Sequence, residues 1–254
     1  TGNTATLAAE GADMLNAVAV VRPYRAGSDD RPVIAANNLI AWWWPSLDGD
    51  YSDRAGNWDG TSGGSVAVST NGWSFDGTSN SFVEVSTNSA FALIDNGIKK
   101  PVSLTMWARI EGDMGVTHSL FSKCRTVDDS LAGEEYYAYK GDGAWGVATN
   151  QIDSVIRGAG SVDGHVVGGA VAPGTWFHVA MTYDTTNLIG YFNGVQYAMD
   201  DEIGNPTNSF YPLRFGSLRK SMRLVGSIDN VRFYSVAIPS NAVNAIYNLG
   251  RTAP

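Results

Sequence analysis

The chain has 254 residues, a formal net charge of −8 and a single cysteine, Cys124. A chain of this length can bury roughly three-quarters of its unfolded surface, so it does not depend on a disulfide scaffold for stability. The acidic balance disfavours a phosphate-binding surface, and we therefore expect no nucleic-acid partner. The sequence contains no run approaching the ~20 consecutive apolar residues of a membrane-spanning helix, so we expect no membrane insertion.

The first 36 residues differ in composition from the rest of the chain. An alanine-rich stretch over residues 4–21 is followed by a polar segment that ends at Pro32. This pattern is compatible with one short helix or with an extended arm. We therefore divide the chain into an N-terminal arm, residues 1–36, and a main domain, residues 37–254. The arm either packs over the main domain as a strap or docks on a neighbouring subunit.

The main domain begins with a predicted strand over residues 38–44, which contains three adjacent tryptophans. Because side chains alternate between the two faces of a strand, these tryptophans place aromatic area on both faces of a sheet. A turn-rich acidic loop follows over residues 48–60. Short strands are then predicted over residues 65–68, 73–75 and 82–85.

The middle of the chain continues as an all-strand pattern. Residues 102–110 alternate cleanly between side chains of different polarity, which predicts a strand, and a shorter strand covers residues 119–123. Residues 135–140 and 144–149 flank a Gly-Asp-Gly turn, which predicts a hairpin. The glycine-rich residues 158–169 contain weak strands or a long loop.

The clearest hairpin lies over residues 176–194. Two runs rich in β-branched and aromatic residues, Trp176–Tyr183 and Leu188–Phe192, flank a polar Asp-Thr-Thr-Asn cluster, which is the composition of a strand, a turn and a strand. Asn193-Gly194 predicts a second tight turn, after which residues 195–199 continue as a third strand. Both faces of the first run can be covered, as in a strand inside a two-sheet sandwich.

Two closing strands, residues 213–216 and 225–235, precede a predicted helix over residues 241–248. Its apolar side chains Val243, Ile246 and Tyr247 share one face, and Gly250 can end it in a left-handed conformation. Many short strands with abundant glycine and one terminal helix indicate an all-β fold. We predict a two-sheet antiparallel jelly-roll sandwich with a short C-terminal helix and an N-terminal arm.

Short motifs follow one another in a fixed order over residues 37–250. They are L-I-A-W-W-W-P-S-L-D-G at 39–49, D-R-A-G-N at 53–57, W-S-F-D-G at 73–77, the strand at 102–110, W-F-H-V-A-M-T-Y-D at 176–184, Y-F-N-G-V at 191–195 and G-S-I-D-N-V-R-F-Y at 226–234. Together they resemble the laminin-G-like branch of the concanavalin A-like jelly-roll superfamily, with Ala55 and Asn230 departing from its pattern. The resemblance implies a non-catalytic recognition or structural module for glycans or proteins, often with a structural Ca²⁺.

Calcium is the one cofactor that we predict. Hard cations bind carboxylate, amide and backbone oxygens from loops. If the first and last strands are neighbours, as the resemblance implies, the acidic loop can meet an aspartate of the last long strand. The predicted ligands are Asp53, Asn57, Gly60 and Asp229, with Asp76 as a rival. The alternative is that these side chains only satisfy backbone amides in turns.

Aromatic residues next to turns are the candidates for a ligand-binding surface. Aromatic faces suit both sugar stacking and protein contacts. The candidates are Trp58, Tyr136, Tyr139, Trp145 and Tyr211. For each of them the alternative is packing in the core or incidental exposure.

Catalysis is not expected from this sequence. Retaining glycosidases of this fold carry an E-x-D-x-x-E strand whose two carboxylates lie about 5 Å apart, and the sequence contains no such strand. We assign the acidic clusters Glu134-Glu135 and Asp200-Asp201-Glu202 to the start of a strand and to a solvated loop. A carbohydrate-active enzyme, either a glycoside hydrolase or a lyase, remains the alternative.

We therefore expect a recognition, adhesion or surface-display module that acts outside the cell or on a virion surface. Its expected partner is a glycan or a protein surface. The arm suggests attachment to a larger assembly, such as a viral capsid carrying this chain as a decoration or fibre component, and a homo-oligomer is an open alternative. A third hypothesis is a calcium-dependent binder of the pentraxin type, in which chelation abolishes ligand binding.

Overall fold

The computed structural model describes residues 36–124, 133–218 and 222–251. The predicted arm lies outside these residues except for Ala36, so its two interpretations stay predictions. Neither α-helix in the described ranges is long and apolar enough to cross a membrane.

Nineteen strands and two α-helices make up the regular structure of the described residues. The strands are β1 (Leu39–Trp43), β2 (Thr61–Gly63), β3 (Val66–Ser69), β4 (Gly72–Asp76), β5 (Phe82–Glu84), β6 (Ile94–Asp95), β7 (Ile98–Lys99), β8 (Val102–Ile110), β9 (His118–Lys123), β10 (Tyr136–Lys140), β11 (Ile152–Ile156), β12 (Gly164–Gly168), β13 (Trp176–Tyr183), β14 (Leu188–Phe192), β15 (Val195–Asp200), β16 (Leu213–Phe215), β17 (Ser217–Leu218), β18 (Met222–Arg223) and β19 (Val225–Tyr234). The helices are α1 (Pro45–Asp48) and α2 (Ser240–Asn248), and short 3-10 turns cover Ala36–Asn38, Ser89–Phe91 and Ala159–Ser161.

Two large antiparallel sheets form a sandwich. The first sheet has the order β15-β14-β13-β8-β19-β4-β3, and β1 also pairs with β19. The second sheet has the order β12-β11-β10-β9-β16-β5-β2, and the pairs β6–β7 and β17–β18 form small separate ribbons. This confirms the predicted jelly-roll sandwich with a short C-terminal helix, including the pairing of the first and last strands.

Side-chain alternation in the central hairpin builds the core. Phe177 and Val179 of β13 point between the sheets, whereas Ala180 points to the outer face and packs with Val243 and Ile246 of α2. Successive side chains of a strand point to opposite faces, so β13 is covered on one side by the second sheet and on the other by the helix. The predicted burial of both faces is confirmed.

The tryptophans that follow one another in β1 lie on both faces, as predicted. Trp43 lies in the core, where its ring centroid is 5.5 Å from that of Phe215. Trp42 and Trp44 stack on each other on the outer face with centroids 5.4 Å apart. All of them are buried, so none offers a surface for sugar stacking.

The hairpin predicted for residues 135–140 and 144–149 is wrong in its second strand. β10 pairs with β11, Ile152–Ile156, instead. Trp145 and Gly146 have φ angles of 56° and 78°, and the N–H of Gly143 donates to the carbonyl of Val147 at 3.1 Å. Two consecutive left-handed residues cannot continue an extended strand, so this segment forms turns.

Candidate binding pocket

A surface pocket with a volume of about 300 Å³ lies between two loop segments. One segment follows β5 and contains the β6–β7 ribbon, and the other precedes β16. The pairing of β5 with β16 extends into these loops, because Val85 donates to the Leu213 carbonyl at 2.9 Å and Leu213 donates to the Ser86 carbonyl at 3.0 Å. The residues lining the pocket are Thr87, Ser89, Ala92, Ile94, Asp95, Asn96, Gly97, Asn208, Ser209 and Phe210.

The β6–β7 ribbon forms one wall of the pocket. Asp95 pairs with Ile98 around the turn Asn96-Gly97, whose φ angles are 50° and 79°. Positive φ at both central residues is the geometry for which an Asn-Gly pair is suited. No strand was predicted between residues 85 and 102, although this Asn-Gly signal was sufficient to locate the ribbon.

Phe210 forms the apolar rim of the opposite wall. Its side chain is 84% exposed, and the polar Asn208 and Ser209 precede it in the pocket lining. Sequence reasoning selected the neighbouring Tyr211 and missed Phe210. Both are aromatic residues in the same irregular segment, and without strand alternation the sequence does not show which one faces solvent.

A buried ion pair joins the two walls from below. Lys123 at the end of β9 and Glu135 just before β10 are both fully buried, with Nζ and Oε2 3.1 Å apart. The Lys123 ammonium donates to the carbonyls of Ser209 at 2.6 Å and Tyr211 at 3.0 Å. The Glu135 carboxylate accepts from the backbone N–H of Leu93 and from that of Ser209 at 3.2 Å. Both loops are therefore anchored to the same pair of charges.

The electrostatics of this pair follow from its burial. Burial raises the pKa of Glu135, and the adjacent Lys123 opposes that rise. A buried charge is tolerated when an opposite charge and hydrogen bonds replace the lost water, and both conditions hold here. The pair thus fixes the backbone of the pocket and is not accessible to a ligand.

The structure places three of the predicted aromatic residues in supporting positions around this pocket. Tyr136 is fully buried, and its hydroxyl donates to the Phe91 carbonyl at 2.7 Å. The half-buried Trp58 contacts the Phe91 ring edge-to-face at a centroid distance of 5.4 Å. Tyr211 is half-buried, and its carbonyl is held by Lys123. These residues support the pocket loops from behind and do not line the pocket.

The other two predicted aromatic residues lie elsewhere. The hydroxyl of Tyr139 donates to the Asp153 carboxylate at 3.0 Å on the second sheet. Trp145 is 91% exposed at the turn that follows β10. Neither residue lines the pocket.

Sequence comparison identifies the family of the chain. The profile of a laminin G family in the concanavalin A-like lectin/glucanases superfamily matches residues 76–244. The chain belongs to this family. No curated protein matches the chain.

Several solved structures with the same fold are named as binding domains. The receptor binding domain of botulinum neurotoxin C/D mosaic serotype is 13% identical with a TM-score of 0.65, covering 84% of this chain and 52% of that chain. The binding domain of Paraclostridial Mosquitocidal Protein 1 gives the same four values. The ligand binding domain of botulinum neurotoxin serotype D in complex with N-acetylneuraminic acid is 13% identical with a TM-score of 0.62, covering 84% of this chain and 51% of that chain. At this identity the likeness shows the fold alone, and the chain spans about half the length of these structures.

Asp53 is the centre of the predicted calcium site. Its Oδ1 accepts from the backbone N–H groups of Trp42 at 2.8 Å and Ala55 at 2.9 Å. Its Oδ2 accepts from the backbone N–H groups of Asn57 and Trp58, each at 3.1 Å. Both carboxylate oxygens are therefore engaged by backbone amides, one in β1 and three in the acidic loop.

Asp229 and Asp76, two further predicted calcium ligands, also have partners within the chain. Asp229 accepts from the Ser46 N–H at 3.1 Å and pairs with Arg251 at 2.9 Å, and Asp76 accepts from the N–H of Thr78 at 2.9 Å. Across the described ranges, no group of three or more His, Cys, Asp or Glu side chains is placed to hold a metal ion. Calcium binding at these residues, Gly60 included, stays a prediction for titration to test.

The acidic residues considered for catalysis are separated by the fold. Glu134 is buried with its carboxylate 3.6 Å from Arg157, Glu135 is the buried partner of Lys123, and Asp201 is exposed in the loop after β15. Among the residues that line the pocket, Asp95 is the only carboxylate. Glycoside hydrolysis in most families requires two carboxylates that flank the substrate, and this lining supplies one.

Proposed function

We propose that this chain is a non-catalytic binding module that recognises glycans in the pocket beside Phe210. The observation that carries the proposal is the combination, in one pocket, of an exposed aromatic ring with amide, carboxylate and hydroxyl side chains. An aromatic face stacks on the apolar face of a sugar, and the polar groups hydrogen-bond its hydroxyls. A volume near 300 Å³ is at the lower end for ligand pockets and suits a terminal sugar.

The rigidity of the pocket supports binding. Both walls are bonded to Lys123 and Glu135, so a ligand does not have to order them on binding. The family and the similar solved domains, one of them in complex with N-acetylneuraminic acid, support a glycan as the ligand. Fold alone does not establish function, and the proposal therefore depends on the pocket.

The test is a binding screen of the full chain against a panel of neutral and sialylated glycans, followed by calorimetry on any glycan that binds. Phe210→Ala should weaken binding at least tenfold, which is about 1.4 kcal/mol, without changing the unfolding midpoint. Trp145→Ala is the matched control, because it removes an equally exposed ring away from the pocket. Binding that survives Phe210→Ala would contradict the proposed site.

The enzyme hypothesis is tested on the same panel. We expect no turnover of polysaccharides by the full chain, since the pocket lining supplies a single carboxylate. Turnover that Asp95→Asn abolishes would instead support a carbohydrate-active enzyme.

The display hypothesis extends the proposal to the whole chain. We propose that residues 1–36 attach the module to a larger assembly, such as a viral capsid, so that the pocket faces the surroundings outside the cell. The composition of the arm supports this. The native mass of the full chain should then exceed that of a chain beginning at Ala36, or only the full chain should bind the assembly. Identical monomers would support the strap interpretation.

A further inference from the structure

A patch of polar side chains lies on the outer face of the first sheet, on the side covered by α2. Thr105 of β8 lies opposite Arg232 of β19, and Trp107 lies opposite His178 of β13. Opposite residues in antiparallel strands have Cβ atoms about 4.5–5.5 Å apart, and alternate residues share a face. These side chains therefore form one contiguous patch, which is separate from the pocket beside Phe210.

Several polar atoms of this patch have no hydrogen-bond partner within the described part of the chain. They are Thr105 Oγ1, Trp107 Nε1, Arg232 Nη1, the Tyr234 hydroxyl and both ring nitrogens of His178. Thr105 and His178 are fully buried, and Arg232 is 1% exposed. Buried polar groups nearly always have a partner, because an unpaired one keeps the cost of its lost hydration.

The unpartnered atoms are mainly hydrogen-bond donors. Indole and guanidinium nitrogens only donate, and a threonine hydroxyl can donate. Burial, together with the nearby Arg232, lowers the pKa of His178 to about 3, so at neutral pH this imidazole has one N–H to donate. Donors therefore outnumber acceptors in the patch, although the neutral imidazole and the hydroxyl oxygens can each accept.

Arg232 adds a positive charge to this excess of donors. Its Nε donates at 3.3 Å to Asn230 Oδ1, an oxygen that also accepts from Trp42 Nε1 at 2.9 Å. The guanidiniums of Arg232 and Arg54 lie 4.7 Å and 4.8 Å from the centroid of the same Trp42 ring. No carboxylate of the described residues forms an ion pair with Arg232. A buried guanidinium without a counter-charge is unfavourable, so the patch favours an anion.

We propose that this patch binds a small inorganic anion such as chloride, held by Arg232, Thr105 and Trp107. The cover over the patch sets the size of the ligand. Tyr247 of α2 stacks on the Trp107 ring with centroids 5.5 Å apart, and Thr105, His178 and Arg232 are at most 1% exposed, so the ligand has to be small. The anion neutralises β19 under the helix and stabilises the packing of α2 on the sheet.

The test measures urea unfolding of the full chain at constant ionic strength while chloride replaces gluconate. The unfolding equilibrium constant should fall about tenfold for each tenfold rise in chloride above its dissociation constant. Arg232→Met should remove this dependence. Arg109→Met is the matched control and should keep it, because Arg109 lies on the same face of β8 but is paired with Glu111 at 2.7 Å.

A second measurement keeps the proposal testable if Arg232→Met does not fold. Trp107→Phe and Thr105→Val each remove one donor and should each weaken the chloride dependence. A crystal grown in bromide should show an anomalous peak within hydrogen-bond distance of Arg232. Chloride-independent unfolding together with no bromide peak would overturn the proposal and assign the patch to buried water.

Discussion

Lys123 and Arg232 are both buried cations on strands, and the fold treats these two cations differently. Lys123, under the pocket, is 0% exposed and paired with the buried Glu135 at 3.1 Å. Arg232, under α2, is 1% exposed and lies on Trp42 with no described carboxylate as a partner. The chain itself neutralises the first charge. The second needs an acceptor from outside, which is why we assign an anion to it.

The surroundings of Lys123 and Arg232 differ in how open they are to solvent. The Lys123–Glu135 pair forms hydrogen bonds with the backbone of two loops, and an open pocket lies between those loops above the pair. The Arg232 patch is closed by a helix and offers its donors inward. The paired Lys123 thus lies under the proposed glycan pocket, and Arg232 lies in the proposed anion site.

Breaking the buried pair is the largest expected effect. Glu135→Leu leaves the Lys123 ammonium buried without its partner, which should cost about 3–5 kcal/mol of unfolding free energy. The double variant Lys123→Met with Glu135→Leu should recover most of this loss, because no uncompensated charge remains. Urea denaturation of both variants measures it. Equal destabilisation of the single and double variants would show that the pair contributes through shape and not charge.

This pair was beyond the reach of sequence reasoning. Alternation and composition located strands such as Val102–Ile110 and Trp176–Tyr183, because local patterns decide which face of a strand is buried. Lys123 meets Ser209, which lies 86 positions away, and no local pattern encodes that contact. The same limit explains the choice of Tyr211 over Phe210.

Tight turns can be predicted from the sequence where an Asn-Gly dipeptide is recognised. Asn193-Gly194 was assigned correctly, and Asn96-Gly97 carries the same signal at the pocket wall. The strand predicted over residues 144–149 is wrong because Trp145 adopts a positive φ of 56°. A positive φ is uncommon for a tryptophan, so the sequence gives no sign of this turn.

Acid titration tests the second region. His178, beside Arg232, has its pKa lowered from 6.5 to about 3 by burial. Protonation therefore favours the unfolded chain, and the stability that neutral His178 contributes is present above pH 6.5 and is lost as the pH falls toward 3. The loss should approach about 1.4 kcal/mol per pH unit.

The comparison protein for this titration is His178→Leu, measured by urea unfolding between pH 7 and pH 5. Carboxylates and the other histidines titrate in both proteins, so the difference between the two curves isolates His178. The variant should show the shallower pH dependence. Parallel curves would show that burial does not lower the pKa of His178.

A matched pair of glycines tests whether the loop above the paired cation is a preorganised site. Gly97 and Gly146 have φ angles of 79° and 78°, and a Cβ at either position would have no atom within 4 Å. Substitution by alanine should cost each about 1 kcal/mol through backbone strain alone. Only Gly97→Ala should also weaken glycan binding, because Gly97 lines the pocket and Gly146 belongs to the turn of Trp145. If calorimetry gives the two variants equal glycan affinity, the β6–β7 ribbon is not part of the glycan-binding site.

Adding calcium is expected to have the smallest effect. It tests whether a buried carboxylate that already has partners within the chain still takes up an external ion. Asp53 is 5% exposed, and both of its oxygens are held by backbone N–H groups, so this charge, like that of Glu135, already has its partners within the chain. A cation would have to displace those amides to reach it, and each displaced buried amide loses a hydrogen bond. We therefore expect millimolar Ca²⁺ and excess chelator to give the same unfolding midpoint. A rise with Ca²⁺ that Asp53→Asn removes would instead support the calcium site that the sequence predicts.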